Sequence, residues 1–110
     1  MREGATIDVD GTKVSGSLND VNIPDAGLIR FVNSSGQTDL TGFDNGDDGR
    51  LMILFNGSGA QLKIWSNDAR SVAENQIEFF TSNHTLNTNG VMFFVYIESL
   101  QRWVEISHNN

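Results

Sequence analysis

The run "VMFFVYI", residues 91–97, decides how this chain is read. Side chains of a strand alternate between its two faces, so a half-exposed strand alternates apolar with polar residues. Here every position is apolar, as it is in "LMILF", residues 51–55. One face of each strand packs into the protomer's own core. A chain of 110 residues buries roughly two-thirds of its unfolded surface, which leaves the second face few internal partners. A neighbouring chain covers it most simply, because each Å² of apolar surface hidden from water contributes ~25 cal/mol and monomers rarely expose large apolar patches. The two runs predict an oligomer; the alternative is a central place in a closed barrel or tight sandwich.

Working outward, each run opens a longer unit. "GRLMILFNGSGAQLKIW" is an apolar run, a turn at Asn56-Gly57-Ser58-Gly59 and a strand ending at Trp65. "GVMFFVYIESLQRWVEI" repeats the plan with a turn at Glu98-Ser99-Leu100-Gln101, and "GLIRFVNSSGQTDLT" has it with Asn33-Ser34-Ser35-Gly36. Short apolar runs bounded by Gly, Asn, Asp and Ser read as strands and turns, so three hairpins are expected from Gly27 onward. "TIDVDGTKVS" adds two short alternating runs around Asp10-Gly11, a pair suited to a type I′ hairpin turn. Pro24 argues against a central strand just after it. Ala69–Asn75 is the one stretch suited to a helical turn, Gln76–Phe80 reads as a strand, and Thr85–Asn87 as a short return strand. The expected division is an N-terminal arm or edge hairpin over residues 1–26 and a β body over residues 27–110.

The stretch "GFDNGDDGR", residues 42–50, raises a separate question. A helix-flanked calcium loop needs acids at positions 1, 3 and 5, Gly at 6 and Glu at 12. Counted from Asp44, position 3 is Gly46 and position 12 is Phe55, so that register fails. Asn45-Gly46 and Asp48-Gly49 are strong turn signals, and the stretch reads as a metal-free connector between strands. A looser calcium site from Asp44, Asp47 and Asp48 is the competing reading.

Composition narrows the function. The formal charge is −7, and the seven Lys and Arg are scattered, so no basic patch offers itself to nucleic acid. Cysteine is absent, which removes disulfides and thiolate metal sites. No apolar run is long enough for a membrane-spanning helix, and Met-Arg-Glu-Gly does not begin a signal peptide. His84 and His108 have no local acid and nucleophile set out for a triad, and phosphate loops and metal-ligand histidine spacings are missing. No catalysis and no cofactor are expected. The sequons at Asn33, Asn56 and Asn83 read as turn residues rather than glycan sites.

In order, "GLIRFVNSSG", "DGRLMILFNGSG", "AQLKIW", "SVAENQI" and "GVMFFVYIESLQRWVEI" resemble a module of tailed-bacteriophage virion surface proteins: capsid decoration (cement) proteins, head fibres and tail-fibre segments. The resemblance covers residues 26–106 and includes the closing Arg102-Trp103 pair; Gln76 stands where the family usually has Arg. It implies an all-β homotrimer with a structural or binding role. The expected fold is an antiparallel, jelly-roll-like β-sandwich assembled as a trimer, with an intertwined trimeric fibre as the alternative. The expected function is decoration of the capsid exterior, with the chain itself and the major capsid protein as partners and neither nucleic acid nor membrane. Its place is the virion surface, after assembly in the bacterial cytoplasm, which suits a cysteine-free chain. Three copies carry −21 (3 × −7), which favours a solvent-facing position away from packaged DNA. The expected trimer interface is Met52, Leu54, Met92, Phe94 and Tyr96. The expected capsid-docking residues are Ile7, Val9, Val14 and Leu18. A fibre module that binds host glycans, with Trp65, Trp103 or Tyr96 stacking on sugar, is the rival function.

Overall fold

The strand that opens the first expected hairpin does not fold back on itself. In the computed structural model, β3 (Leu28–Val32) and β4 (Thr38–Leu40) lie in different sheets, as do β5 (Leu51–Asn56) and β6 (Leu62–Trp65). The structure describes residues 6–10, 17–23, 27–32, 36–79 and 83–109. Over these the chain is all-β, with β1 (Thr6–Asp10), β2 (Ser17–Leu18), β7 (Ile77–Glu78), β8 (Asn83–Leu86), β9 (Val91–Ile97) and β10 (Arg102–Asn109) completing the set. One sheet, here sheet A, has the order β1-β3-β5-β9-β10-β7, and sheet B the order β2-β4-β6-β8.

Both sheets are mixed, and their first halves are parallel. Thr6 pairs with Leu28 and Leu28 with Ile53 in sheet A, while Ser17 pairs with Asp39 and Asp39 with Lys63 in sheet B. Each of three successive coils thus gives one strand to each sheet, a solenoid-like arrangement. Beyond them the pairing is antiparallel, with β9 against β5, β8 against β6 and β10 against β9, except at the far edge of sheet A, where β7 runs parallel to β10. This corrects the antiparallel jelly roll expected from the sequence. The physical reason was present in the apolar runs, because strands of parallel sheets covered on both faces are continuous in apolar residues rather than alternating. Of the three expected hairpins, β9–β10 forms one, closed by Leu100 N–H to the Ile97 carbonyl and Gln101 N–H to that of Glu98.

Asn56 shows how an arch replaces a hairpin. It is fully buried. Its side-chain NH₂ donates to the carbonyls of Ala60 and Leu86, both at 2.9 Å, and its Oδ1 accepts from Ser58 N at 3.1 Å and Ser58 Oγ at 2.7 Å. The side chain occupies the inside of the bend and ties β5, the arch and β8 together. The Asn56 sequon is therefore structural. Of the turn expected at Asn33-Ser34-Ser35-Gly36 only Gly36, and of the Asp10-Gly11 turn only Asp10, the last residue of β1, is among the described residues.

Between the sheets sits one apolar core of Ile23, Ile29, Phe31, Leu40, Phe43, Met52, Leu54, Leu62, Ile64, Ile77, Phe79, Leu86, Met92, Phe94, Tyr96 and Trp103. Phe43 makes edge contacts with Phe94 and Trp103, at 5.6 and 5.9 Å between ring centroids, a favoured aromatic geometry. A buried polar network joins the connector after β6 to the early coils. Thr41 Oγ1 and Ser71 Oγ lie 2.7 Å apart, and Ser71 Oγ also accepts from Asp20 N–H at 2.9 Å. Asp20 Oδ1 accepts in turn from Val72 N–H and Asn75 Nδ2, both at 2.9 Å. The helical turn expected at Ala69–Asn75 is a single 3-10 turn over Ala73–Asn75. Gln76 is buried there, donating to the Ser71 carbonyl at 3.0 Å and accepting from Trp103 N–H at 3.0 Å.

The acidic stretch is a connector whose carboxylates hold backbone. Asp44 Oδ1 accepts from Ile23 N–H and Asp48 Oδ1 from Glu98 N–H, both at 2.9 Å. Asn45 and Gly49 take left-handed backbone, with φ of 56° and 83°. Gly46 lies flat on Tyr96: a Cβ there would fall 2.2 Å from the ring, so only glycine fits without displacing the tyrosine. Among the described residues, no group of three or more His, Cys, Asp or Glu is set to hold a metal ion.

Candidate interaction surface

The parity of the central strands decides which side chains face outward. Met52 pairs with Phe94 and Leu54 with Met92, and all four are buried at 1% exposure or less, with Tyr96 at 5%. These five residues, expected at a trimer interface, fill the protomer's own core. The correction is a shift of one residue, which exchanges every side chain of a strand between faces. A run apolar on both faces cannot by itself say which face turns inward.

The other parity builds the outer face of sheet A. In register across the strands stand Leu28–Ile53–Phe93, Leu51–Val95–Val104 and Phe55–Val91, with Ile97 at the end of β9. Phe93 is 42% exposed, Leu51 is 49%, and Ile106, at a bulge in β10, is 57%. The remainder are half-buried by their neighbours. Three rows of aliphatic and aromatic side chains thus line a sheet face with no layer of the chain's described residues packed over it. Charged residues end these rows: Arg30 is in register with Phe55, Glu78 with Val104 and Arg102 with Ile97. Arg30 forms a bidentate pair with Asp8, at 2.8 and 3.1 Å, and Arg102 donates to Asn67 Oδ1 and the Ala73 carbonyl at 2.8 Å each. Such a surface loses free energy by being hidden from water and has no arrangement of groups for chemistry.

The expected docking residues are placed differently from an arm. Ile7, Val9 and Leu18 are half-buried members of β1 and β2 packed against the core, and Val14 lies outside the described residues. β1 and β2 do not pair with each other; each forms the edge of a different sheet. The ladders β1–β3 and β2–β4 run across the boundary expected at residue 26.

Of the aromatics considered for sugar stacking, Trp103 and Tyr96 are core residues. Trp65 is half-buried, and Lys63 Nζ sits 4.3 Å from its ring centroid and the Arg70 guanidinium 5.6 Å, so cation–π contacts already occupy its ring. Arg70 also binds Asp68 and Asp39, at 3.0 and 3.2 Å. The Arg70 guanidinium, hydrogen-bonded to Asp68, holds that carboxyl below the usual range. The two histidines, 24 residues apart in sequence, meet in space: the ring centroids of His84 and His108 lie 4.0 Å apart, with the ring planes tilted by 37°, and the Glu105 carboxylate is on His108 Nδ1. Nothing in the sequence pattern signals that contact, because it depends on β8 and β10 meeting between two sheets.

No family model matches this sequence, and no curated protein matches it. A solved chain from the structure described as "Structure of a chaperone-substrate complex" shares the fold, with a TM-score of 0.58 over 94% of this chain at 18% identity. This chain spans 18% of that chain's length.

Proposed function

We propose that this chain is a structural module of a tailed-phage virion surface, which works by assembling as a homotrimer and carries out no catalysis. The observation that carries the reading is the apolar outer face of sheet A. Its three rows would be a standing cost in water, and a threefold contact removes them while leaving the acidic surface outside. The ordered resemblance of "GLIRFVNSSG" through "SLQRWVEI" to virion surface modules supports the phage assignment, and the charge of −7 supports a place away from packaged DNA. On this reading the trimer decorates the capsid exterior, and contacts to several capsid subunits add through multivalency.

A fibre module is the second reading. It is favoured by the parallel coils, which stack in one direction. Fractionating particles separates the two. A decoration protein copurifies with tail-free heads at a fixed ratio to the major capsid protein. A fibre module is found with tails or detached fibres and is absent from such heads. Absence from every particle fraction would defeat both.

A further inference from the structure

Asn followed by Gly occurs at Asn45-Gly46, Asn56-Gly57 and Asn89-Gly90. Such a pair carries its own electrophile and nucleophile: the backbone nitrogen after Asn can attack the side-chain amide carbon, and glycine leaves the approach unobstructed. The attack needs a nitrogen that is not committed to a hydrogen bond. Gly57 N–H is bound to the Phe31 carbonyl and Gly90 N–H to that of Asn87, both at 2.8 Å. The Asn56 side chain is besides fully buried and held by Ser58, Ala60 and Leu86. The related Asp48-Gly49 pair is closed in the same way, by Gly49 N–H on the Tyr96 carbonyl at 2.8 Å. Among the described residues, no acceptor takes the Gly46 N–H. Asn45 is exposed, and its side-chain amide makes a long bond of 3.4 Å to Asn22 Oδ1, weak enough to let it turn toward Gly46.

A further contact sets this pair apart. Arg50 Nη1 donates to the Asn45 carbonyl oxygen at 2.8 Å. When the Gly46 nitrogen gives up its proton, negative charge spreads through the peptide bond onto that oxygen, where a guanidinium already stands. We propose that Asn45 is a self-modifying site: the fold directs deamidation to this Asn-Gly pair, and Arg50 stabilises the Gly46 amidate that attacks. A base from solvent takes the Gly46 proton, the nitrogen bonds to Asn45 Cγ, and the Cγ–Nδ2 bond breaks. Nδ2 takes a proton from water and leaves as ammonia. Water then opens the succinimide at either carbonyl, giving an aspartyl or an isoaspartyl residue. Either product adds a negative charge beside Asp44, Asp47 and Asp48, and the isoaspartyl form lengthens the backbone where Gly46 lies on Tyr96. The connector itself calls for both reactive residues. Asn is among the few side chains that tolerate the φ of 56° at position 45, and the Tyr96 ring leaves no room for a Cβ at position 46. This site is separate from the apolar face of sheet A and stands whether or not the chain forms a trimer.

The test follows the full chain in warm, mildly alkaline buffer, folded and in concentrated urea, with peptide mapping by mass spectrometry that separates aspartyl from isoaspartyl products. In the folded protein, acid at position 45 should accumulate at least about tenfold faster than at positions 56 and 89, where reaction waits on local opening. In urea the three positions should react at similar rates, because every backbone nitrogen is then free. Arg50→Met keeps an unbranched stem and removes the donor. It should slow position 45 about three- to tenfold in the folded protein, the scale of one hydrogen bond, and leave the rate in urea unchanged; circular dichroism checks that the variant is folded. Equal rates at the three positions of the folded protein would overturn the inference. So would a folded parent that reacts at position 45 much more slowly than the unfolded chain, or a folded Arg50→Met that reacts there as fast as the parent.

Discussion

The indole Nε1–H of Trp103 donates to the backbone carbonyl of Phe43 at 2.9 Å, inside the core. That bond fastens the crossing between the sheets, at Phe43, to β10, and the Phe43 N–H is held in turn by the Asn75 carbonyl at 3.0 Å. Trp103→Phe keeps an aromatic ring but removes the donor and leaves a buried carbonyl unpaired, which costs about 1–3 kcal/mol, besides the volume lost. Chemical denaturation should show a lower midpoint with an unchanged slope. A variant as stable as the parent would show that the bond contributes nothing.

Asn56 is the second place where one side chain holds several backbone groups. Asn56→Asp turns two donors into an acceptor aimed at the carbonyls of Ala60 and Leu86. A buried carboxyl in that setting has its pKa raised. The folded state then binds the proton more tightly than the unfolded one, so stability falls as pH rises through the folded value. The variant should lose about 1–3 kcal/mol at neutral pH and recover part of it on acidification. A loss that is independent of pH would contradict the assignment of those two bonds.

Acid should weaken the parent by another route. The hydrogen bond from Arg30 lowers the pKa of Asp8, and that from Arg70 lowers the pKa of Asp68. Carboxylates depressed in the folded state contribute stability that is present above the unfolded value, about 3.9 for Asp, and lost as pH falls through the folded one. Both pairs lie at the surface, so their effect is small and screened by salt. Asp68→Asn should flatten the acid limb of the stability curve below about pH 4, as measured by thermal melting. An acid limb identical to the parent's would count against the Asp68–Arg70 pair.

The β class, the positions of the strong strands and the turn nature of residues 42–50 could be read from the sequence, because apolar runs and Asn-Gly or Asp-Gly pairs are local signals. Which strands pair could not. β5 and β6 look like a hairpin because Asn56-Gly57-Ser58-Gly59 is a turn sequence, and nothing local distinguishes a turn within a sheet from an arch between two. The buried Asn56 makes the difference through Leu86, thirty residues away. The candidate surface was half legible. "LMILF" and "VMFFVYI" announced two apolar faces, but the inward one is chosen by Phe43 and Trp103 packing on Phe94 and Tyr96, contacts that exist only in the fold. The contact of His84 with His108 was not legible at all.

The central claim is that the outer face of sheet A is covered by copies of the same chain. The measurement is the solution mass by light scattering, from micromolar to several hundred micromolar, for the parent, Phe93→Glu and Leu51→Glu. Both residues are exposed on the protomer, so the charges should leave its fold intact, as checked by the circular dichroism of the strands. The account predicts about 36 kDa for the parent, three times the 12.1 kDa chain mass, and the single-chain mass for both variants. A parent that stays at the single-chain mass throughout, or a trimer that both charges leave intact, would contradict it.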